Sequence, residues 1–153
     1  MGIKRPLEVF VIKSGHSLWN KTIRFARSSS WSAGPYLAKQ MEENNFLQWE
    51  RVIVAVENGK IVGYCTFTKK DELADDYNFS PFIGFVFVDE AYRGNRISEK
   101  MIASASDYAK SSGYKTIYLM SSEKGLYEKY GFKKIGDYNT IHGTIDQLFC
   151  KDI

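Results

Sequence analysis

Two arginines and a glycine stand between an apolar run and a helical pattern in the stretch "FIGFVFVDEAYRGNRISEKM", residues 82–101. Residues 82–88 are continuously apolar, rich in β-branched and aromatic types, and too few for a buried helix, so they predict a strand. Ile97, Met101, Ala105, Tyr108 and Ala109 recur at helical spacing and stop at Gly113, a natural C′ residue. The turn between them carries Arg93, Gly94, Asn95 and Arg96 and leads into Ile97, Ser98 and Glu99. Those are the parts of an anion site. Gly94 admits close approach of the backbone, the first helical N–H groups point outward at the positive end of the dipole, and the two guanidinium groups add full charges. A phosphate-bearing ligand suits that chemistry. A solvated surface turn has the same composition, and spacing alone does not separate the two.

The same residues resemble motif A of the GNAT superfamily of N-acetyltransferases, in which Arg or Gln, any two residues, Gly, any one, then Gly or Ala cradle the pyrophosphate of acetyl-CoA. Arg93 falls on the first position, Arg96 stands where the family usually has Gly, and Ser98 where it has Gly or Ala. A side chain at 96 would either crowd the pyrophosphate or reach a coenzyme phosphate through its planar fork. A second segment, "GLYEKYGF" at 125–132, follows a strand-like run at 116–120 and resembles the end of the family's motif B. In the family the Tyr of that run protonates the departing coenzyme A thiolate, and it maps to Tyr127. By residue pattern alone, Leu126 and Tyr130 are core, Tyr127 shields a neighbouring strand, and Gly131 stops the helix. The two segments in this order, one helix and one strand apart, identify the chain as a member of the superfamily.

The remaining elements must position these segments. Residues 7–12 read as a first strand, and helical patterns follow at 17–26 and 34–43, joined by the turn-rich "RSSSWSAGPY" that carries Trp31. Residues 51–57 and 60–68 are strands joined at Asn58 and Gly59, a type I′ hairpin signal. The acidic connection "KKDELADDYNFSP" leads into the strand at 82, and two last strands are expected near 132–138 and 144–151. This order predicts an α/β mixed sheet, mostly antiparallel, with one parallel crossover and flanking helices, in a single domain over residues 1–153. The resemblance further implies that the strands at 82–88 and 116–120 splay apart. The pantetheine arm would lie in that gap against exposed backbone groups near Phe87 and Val88.

The implied reaction is direct attack of a neutral amine on the acetyl thioester. A thiol near pKa 8.5 is a stronger acid than a phenol near 10, so full proton transfer from Tyr127 is uphill by about 2 kcal/mol in water. Tyr127 would therefore act chiefly by hydrogen-bonding the charge as it develops. Several family members place a Glu on the strand equivalent to 82–88, and this strand has no ionisable residue. Water, His142, His16 or a carboxylate of the acidic connection are the available bases, and His142 also reads as a plain turn histidine. Asp71, Glu72, Asp75 and Asp76, with Tyr77 and Trp31, would suit a cationic or aromatic acceptor, or else form an ordinary solvated loop. A noncatalytic acyl-CoA sensor on the same fold is the competing class. Free thiol release with an amine panel separates them.

Composition narrows the partners. A chain of 153 residues, 44% hydrophobic, buries a full core. A net charge of +3 with dispersed Lys and Arg does not suggest nucleic acid as a partner. Two His and two Cys lack metal-ligand spacing, no Gly-x-Ser-x-Gly elbow is present, and Cys65 and Cys150 read as reduced thiols. No run reaches membrane-spanning length, the residues after Met1 lack signal-peptide blocks, and Pro6 stands where myristoylation at Gly2 would want Ser or Thr. The expectation is a cytoplasmic protein acting on a small-molecule or peptide amine, with a homodimer left open.

Overall fold

The computed structural model describes residues 6–153, so the reading of Met1 and Gly2 lies outside it. Seven strands, β1 (Glu8–Ile12), β2 (Arg51–Glu57), β3 (Lys60–Thr68), β4 (Phe82–Val88), β5 (Thr116–Ser121), β6 (Lys133–Asn139) and β7 (Ile145–Asp152), form one sheet in the order β1-β2-β3-β4-β5-β7-β6. Alternation along β2 divides the core. Ile53 and Ala55 face α3 (Ile97–Ser111) with Val62, Phe67, Ile83 and Met101, while Val52, Val54 and Val56 face α1 (Trp19–Ser28) and α2 (Gly34–Glu42) with Tyr64 and Leu37. A four-residue helix, α4 (Leu126–Lys129), packs Tyr127 onto the α3 side. Among the described residues no helix is long and apolar enough to cross a membrane.

The β2–β3 turn has left-handed backbone at both Asn58 (φ 51) and Gly59 (φ 77), which a type I′ turn requires. The helix predicted from residue 17 begins at Trp19, and each of the last two strands begins one residue later than the pattern suggested. β7 lies between β5 and β6, a placement that no local pattern encodes.

One irregularity positions everything that follows. Thr66 pairs with Gly84 and Tyr64 with Phe87, so Cys65 alone faces both Phe85 and Val86: β4 carries a bulge, with Phe85 at φ 49. All neighbouring strands are antiparallel except β4 and β5, whose parallel ladder is limited to Phe82 with Tyr118 and Ile83 with Leu119. A bulge bends its strand, so β4 leaves β5 beyond this short ladder. The later N–H and C=O groups of β4 then face a gap. The splay expected between these two strands is present.

Candidate active site

At the α3 side of the gap, the helix opens on Arg96, whose backbone is left-handed (φ 59) and whose side chain caps none of the helix amides. Gly94 is also left-handed (φ 85), and a Cβ built there would meet nothing within 4 Å. Arg96 thus adopts the conformation that a glycine reaches freely, at a cost of about 1–2 kcal/mol. The side chain does not fold into the turn: it is 80% exposed, with Nη1 3.7 Å from Glu99 Oε1. Arg93 turns back onto β4, its Nε donating to the Val88 carbonyl at 3.0 Å and its guanidinium carbon lying 5.8 Å from the Phe87 ring centre. Phe87, Val88, Arg93, Gly94, Arg96, Ile97, Ser98 and Glu99 all border one cavity of about 1050 Å³. Asn95 does not border it; its side-chain amide donates to the Tyr92 carbonyl at 2.9 Å.

Across that cavity stand two tyrosines. The hydroxyls of Tyr130 and Ser98 are hydrogen-bonded at 2.8 Å, tying the start of α3 to the end of α4. Tyr127 is buried, with its ring 5.9 Å from Phe149 and 6.2 Å from Phe132. Burial pushes the Tyr127 hydroxyl well above its ordinary range, coupling to the ionisable groups of Cys65, Glu123 and Tyr130 pushes the same way, and a hydrogen bond with Ser121 opposes them. A raised pKa keeps the phenol protonated through neutral pH. Tyr127 is a hydrogen-bond donor there and not an anion.

A second cavity, of about 630 Å³, opens on the α2 side of β4. Trp31, Val86, Ser121, Ser122 and Tyr127 border both cavities, so the two meet in the gap between β4 and β5. Trp31 stacks on Phe87 (5.9 Å, 3° between planes), and Tyr36 stacks on Phe85 (6.0 Å, 4°). The Thr66 hydroxyl, on the same wall, is buried with no hydrogen-bond partner. His142 borders this cavity, whereas His16 borders neither: its Nδ1 accepts from the Leu18 N–H at 3.0 Å.

The acidic connection enters the cavity through Asp71 and Glu72. Asp75, Asp76 and Tyr77, which the pattern placed with Trp31, lie elsewhere. Asp75 is exposed and pairs with Lys70 Nζ at 3.1 Å, Asp76 is exposed, and Tyr77 packs edge-on against Tyr138 at 5.0 Å. The connection folds back because Leu73 and Tyr77 are drawn into an apolar cluster with Phe82, Met120 and Leu148. Backbone bonds then fix it to the β6–β7 turn, Ala74 N–H to Asn139 at 3.0 Å and Ile141 N–H to Glu72 at 2.8 Å. Glu50 holds its start, accepting from the Lys69 N–H at 2.7 Å.

Asp71 is the residue that sequence reasoning did not single out. Its carboxyl lies against Gly84: a Cβ built on Gly84 would collide with Oδ1 and come within 2.9 Å of Oδ2. Removal from water pushes the Asp71 carboxyl up to about 7, the Glu72 charge adds to the rise, and a backbone hydrogen bond from Glu72 opposes it. The residue as a whole remains partly exposed, because its other side opens on the cavity. An isolated Gly inside an otherwise bulky strand was the available signal, since such a Gly marks close approach by another group.

The profile of the acetyltransferase (GNAT) family matches residues 16–132. The uncharacterized N-acetyltransferase YhbS of Escherichia coli (strain K12) is 24% identical over 107 residues, covering 70% of this chain and 62% of that protein, so the match spans about three-fifths of the curated relative's length. Among solved structures, an aminoglycoside 6'-N-acetyltransferase complexed with coenzyme A superimposes with a TM-score of 0.69 at 17% identity, covering 95% of this chain and 96% of that one. The aminoglycoside 6'-N-acetyltransferase from Enterococcus faecium gives 0.71 at 18% identity, covering 95% and 96%. A GNAT family acetyltransferase from Elizabethkingia anophelis with acetyl-CoA bound gives 0.64 at 15% identity, covering 96% and 98%. At such identities these likenesses speak for the fold. Because the family profile covers both the splayed strand pair and the turn into α3, the chain belongs to the acetyltransferase (GNAT) family.

Proposed function

We propose that this chain is an acetyl-CoA-dependent N-acetyltransferase that moves the acetyl group directly to a primary amine of a small molecule or peptide. The observation that carries the proposal is the meeting of two cavities in the β4–β5 gap beside Tyr127, one with an anion-binding turn and the other with an acidic wall. Acetyl-CoA would supply an acyl thioester with a good leaving group. The residues fit it. Uncapped amides at Ile97, Ser98 and Glu99, with Arg93 and Arg96, suit the pyrophosphate, and the later backbone of β4 at Phe87 and Val88 suits the pantetheine amides.

Tyr127 faces the junction as a neutral phenol and would donate a hydrogen bond to the sulfur as negative charge develops on it. Its raised pKa makes full proton loss more costly than in water, so stabilisation of developing charge is its main contribution. Trp31, stacked on Phe87, gives the junction an apolar wall on the α1 side. Two free cysteines accord with a place in the cytoplasm.

The test is release of free thiol from acetyl-CoA with a panel of primary amines: kanamycin, spermidine, tyramine and a lysine-bearing peptide. Kanamycin is included because two of the structurally similar proteins are aminoglycoside acetyltransferases. Turnover with any of them supports the proposal. Tight acetyl-CoA binding without turnover across the panel would favour the acyl-CoA sensor.

A further inference from the structure

We propose that Asp71, reaching the junction from outside β4, is the base that takes the proton from the acceptor amine, and that Gly84 is the vacancy that lets it do so. The inference rests on the transferase reading above and names a group that reading leaves open.

The geometry begins with the strand. β4 has no ionisable side chain, and at Gly84 it has no side chain at all. The Asp71 carboxyl fills that space, so a carboxylate lies on the wall of β4 although its residue comes from the β3–β4 connection. Gly84 is two residues from Val86, at most about 7 Å along an extended strand, and Val86 borders both cavities. An amine held between Gly84 and Val86 would lie beside the Asp71 carboxyl and could meet an acyl carbon delivered at Val86. Thr66, the residue that pairs with Gly84, carries a buried hydroxyl with no hydrogen-bond partner on the same wall.

The connection is held and does not swing freely. Its backbone is bonded to the β6–β7 turn on one side and to Glu50 on the other, so Asp71 is placed before any acceptor arrives. Other charged or titratable groups lining the same cavity are Lys70 and Glu72 on its own segment, Glu50 before β2, Tyr36 on α2, Tyr127 on α4, His142 in the β6–β7 turn and Asp146 on β7. Three further carboxylates on these walls make the cavity a place for a cation.

The step balances. An acceptor arriving as an ammonium gives one proton to the Asp71 carboxylate, and the freed lone pair forms the N–C bond as the C–S bond breaks. The nitrogen, positively charged once that bond has formed, releases a second proton to solvent to become the neutral amide, while the sulfur leaves with the bond pair under the Tyr127 hydrogen bond and takes up one proton from solvent. Asp71 returns its own to solvent through the open side of the cavity. Because burial lifts the carboxyl toward neutrality, it is a stronger base than an ordinary aspartate and is ionised above about pH 7.

The experiment measures kcat/KM against pH for wild type, Asp71→Asn, Gly84→Ala and the remote control Asp107→Asn, using the amine from the panel that turns over fastest. Acetyl-CoA affinity is measured alongside by calorimetry. Wild type should rise with unit slope to a plateau above about pH 7. Asp71→Asn should lose at least 100-fold in kcat and lose the limb near 7, with coenzyme affinity unchanged within threefold. Gly84→Ala, which leaves the carboxylate in the protein but displaces it, should lose at least tenfold. Turnover by wild type with Asp71→Asn within threefold of it overturns the base and spares the transferase reading. Coenzyme binding with no turnover of any amine by wild type overturns both together.

Discussion

Toward α3 the site is drawn mainly from one strand–turn–helix unit, residues 86–99, and closed by α4 and the segment before it, whereas toward α2 it is assembled from pieces of α2, four strands, the acidic connection and the β6–β7 turn. The first cavity relies on backbone: two left-handed residues and uncapped helix amides, which on the proposed reading would recognise the phosphates common to every acyl-coenzyme A. The second relies on side chains, Asp71, Thr66, Tyr36, His142 and Trp31, which can vary without disturbing the fold. The difference assigns each a task. Under the proposed reading, backbone geometry would hold the part of the reaction that does not change, and the side chains of the second cavity would decide which amine is taken. Tyr127, on the boundary, would serve both.

Substitution at the boundary should have the largest effect. Tyr127→Phe keeps the ring that packs on Phe149 and removes only the hydroxyl, so kcat should fall by about tenfold to a thousandfold while acetyl-CoA affinity stays within a few-fold. Tyr130→Phe is a comparison and not a silent control, because its hydroxyl is bonded to Ser98 at the mouth of α3. It should weaken coenzyme binding by about threefold and spare kcat. Steady-state kinetics with calorimetry separates the two.

The backbone cavity is sharpened by a pair of variants at the turn. Gly94→Val puts a β-branched residue at φ 85, a strain of about 1–3 kcal/mol, and should weaken acetyl-CoA binding by about tenfold to a hundredfold. Arg96→Gly keeps the left-handed backbone and removes only an exposed charge, so its effect should be within about fivefold and should shrink in high salt. Equal losses for the two would mean that charge, not backbone shape, holds the coenzyme.

Side-chain construction of the other cavity has a stability signature. The Asp71 carboxyl titrates at about 7 when folded against an ordinary 3.8, so the folded state holds this proton more tightly than the unfolded state. Its contribution to stability is therefore fully present below about pH 4 and is lost as pH rises through about 7. Asp71→Asn should melt higher than wild type at pH 8 and gain little or nothing at pH 4, read as about 2–4 °C per kcal/mol. The smallest effect is expected from Asp75→Asn with Asp76→Asn, which should change acceptor KM less than twofold because both residues lie outside the cavities.

What was legible in the sequence follows the same division. The α3 cavity could be read because its parts are adjacent in the chain: Arg93, Gly94 and the start of a helical period lie within one turn, and "GLYEKYGF" is a local pattern. The strand order beyond β5 could not, because β7 enters between β5 and β6 through pairing that neither strand's own residues specify. Arg96 was ambiguous for a different reason. Residue type alone does not say whether an Arg adopts φ 59, so its backbone and its side chain could not be separated. Asp71 was read as one charge among several in an acidic loop. What distinguishes it is an absence of side chain at Gly84, brought to it by Leu73 and Tyr77 entering an apolar cluster from the far side of the connection.

The central claim is that the two cavities meet where the acyl group is transferred. A structure of the protein crystallised with a non-hydrolysable thioether analogue of acetyl-CoA tests it directly. The account predicts the pyrophosphate on the amides of Ile97, Ser98 and Glu99, the pantetheine along Phe87 and Val88, and the sulfur within hydrogen-bond reach of the Tyr127 hydroxyl with its acyl carbon facing Asp71. A pyrophosphate bound away from the turn at Gly94, or an acyl group directed out of the β4–β5 gap, would contradict it.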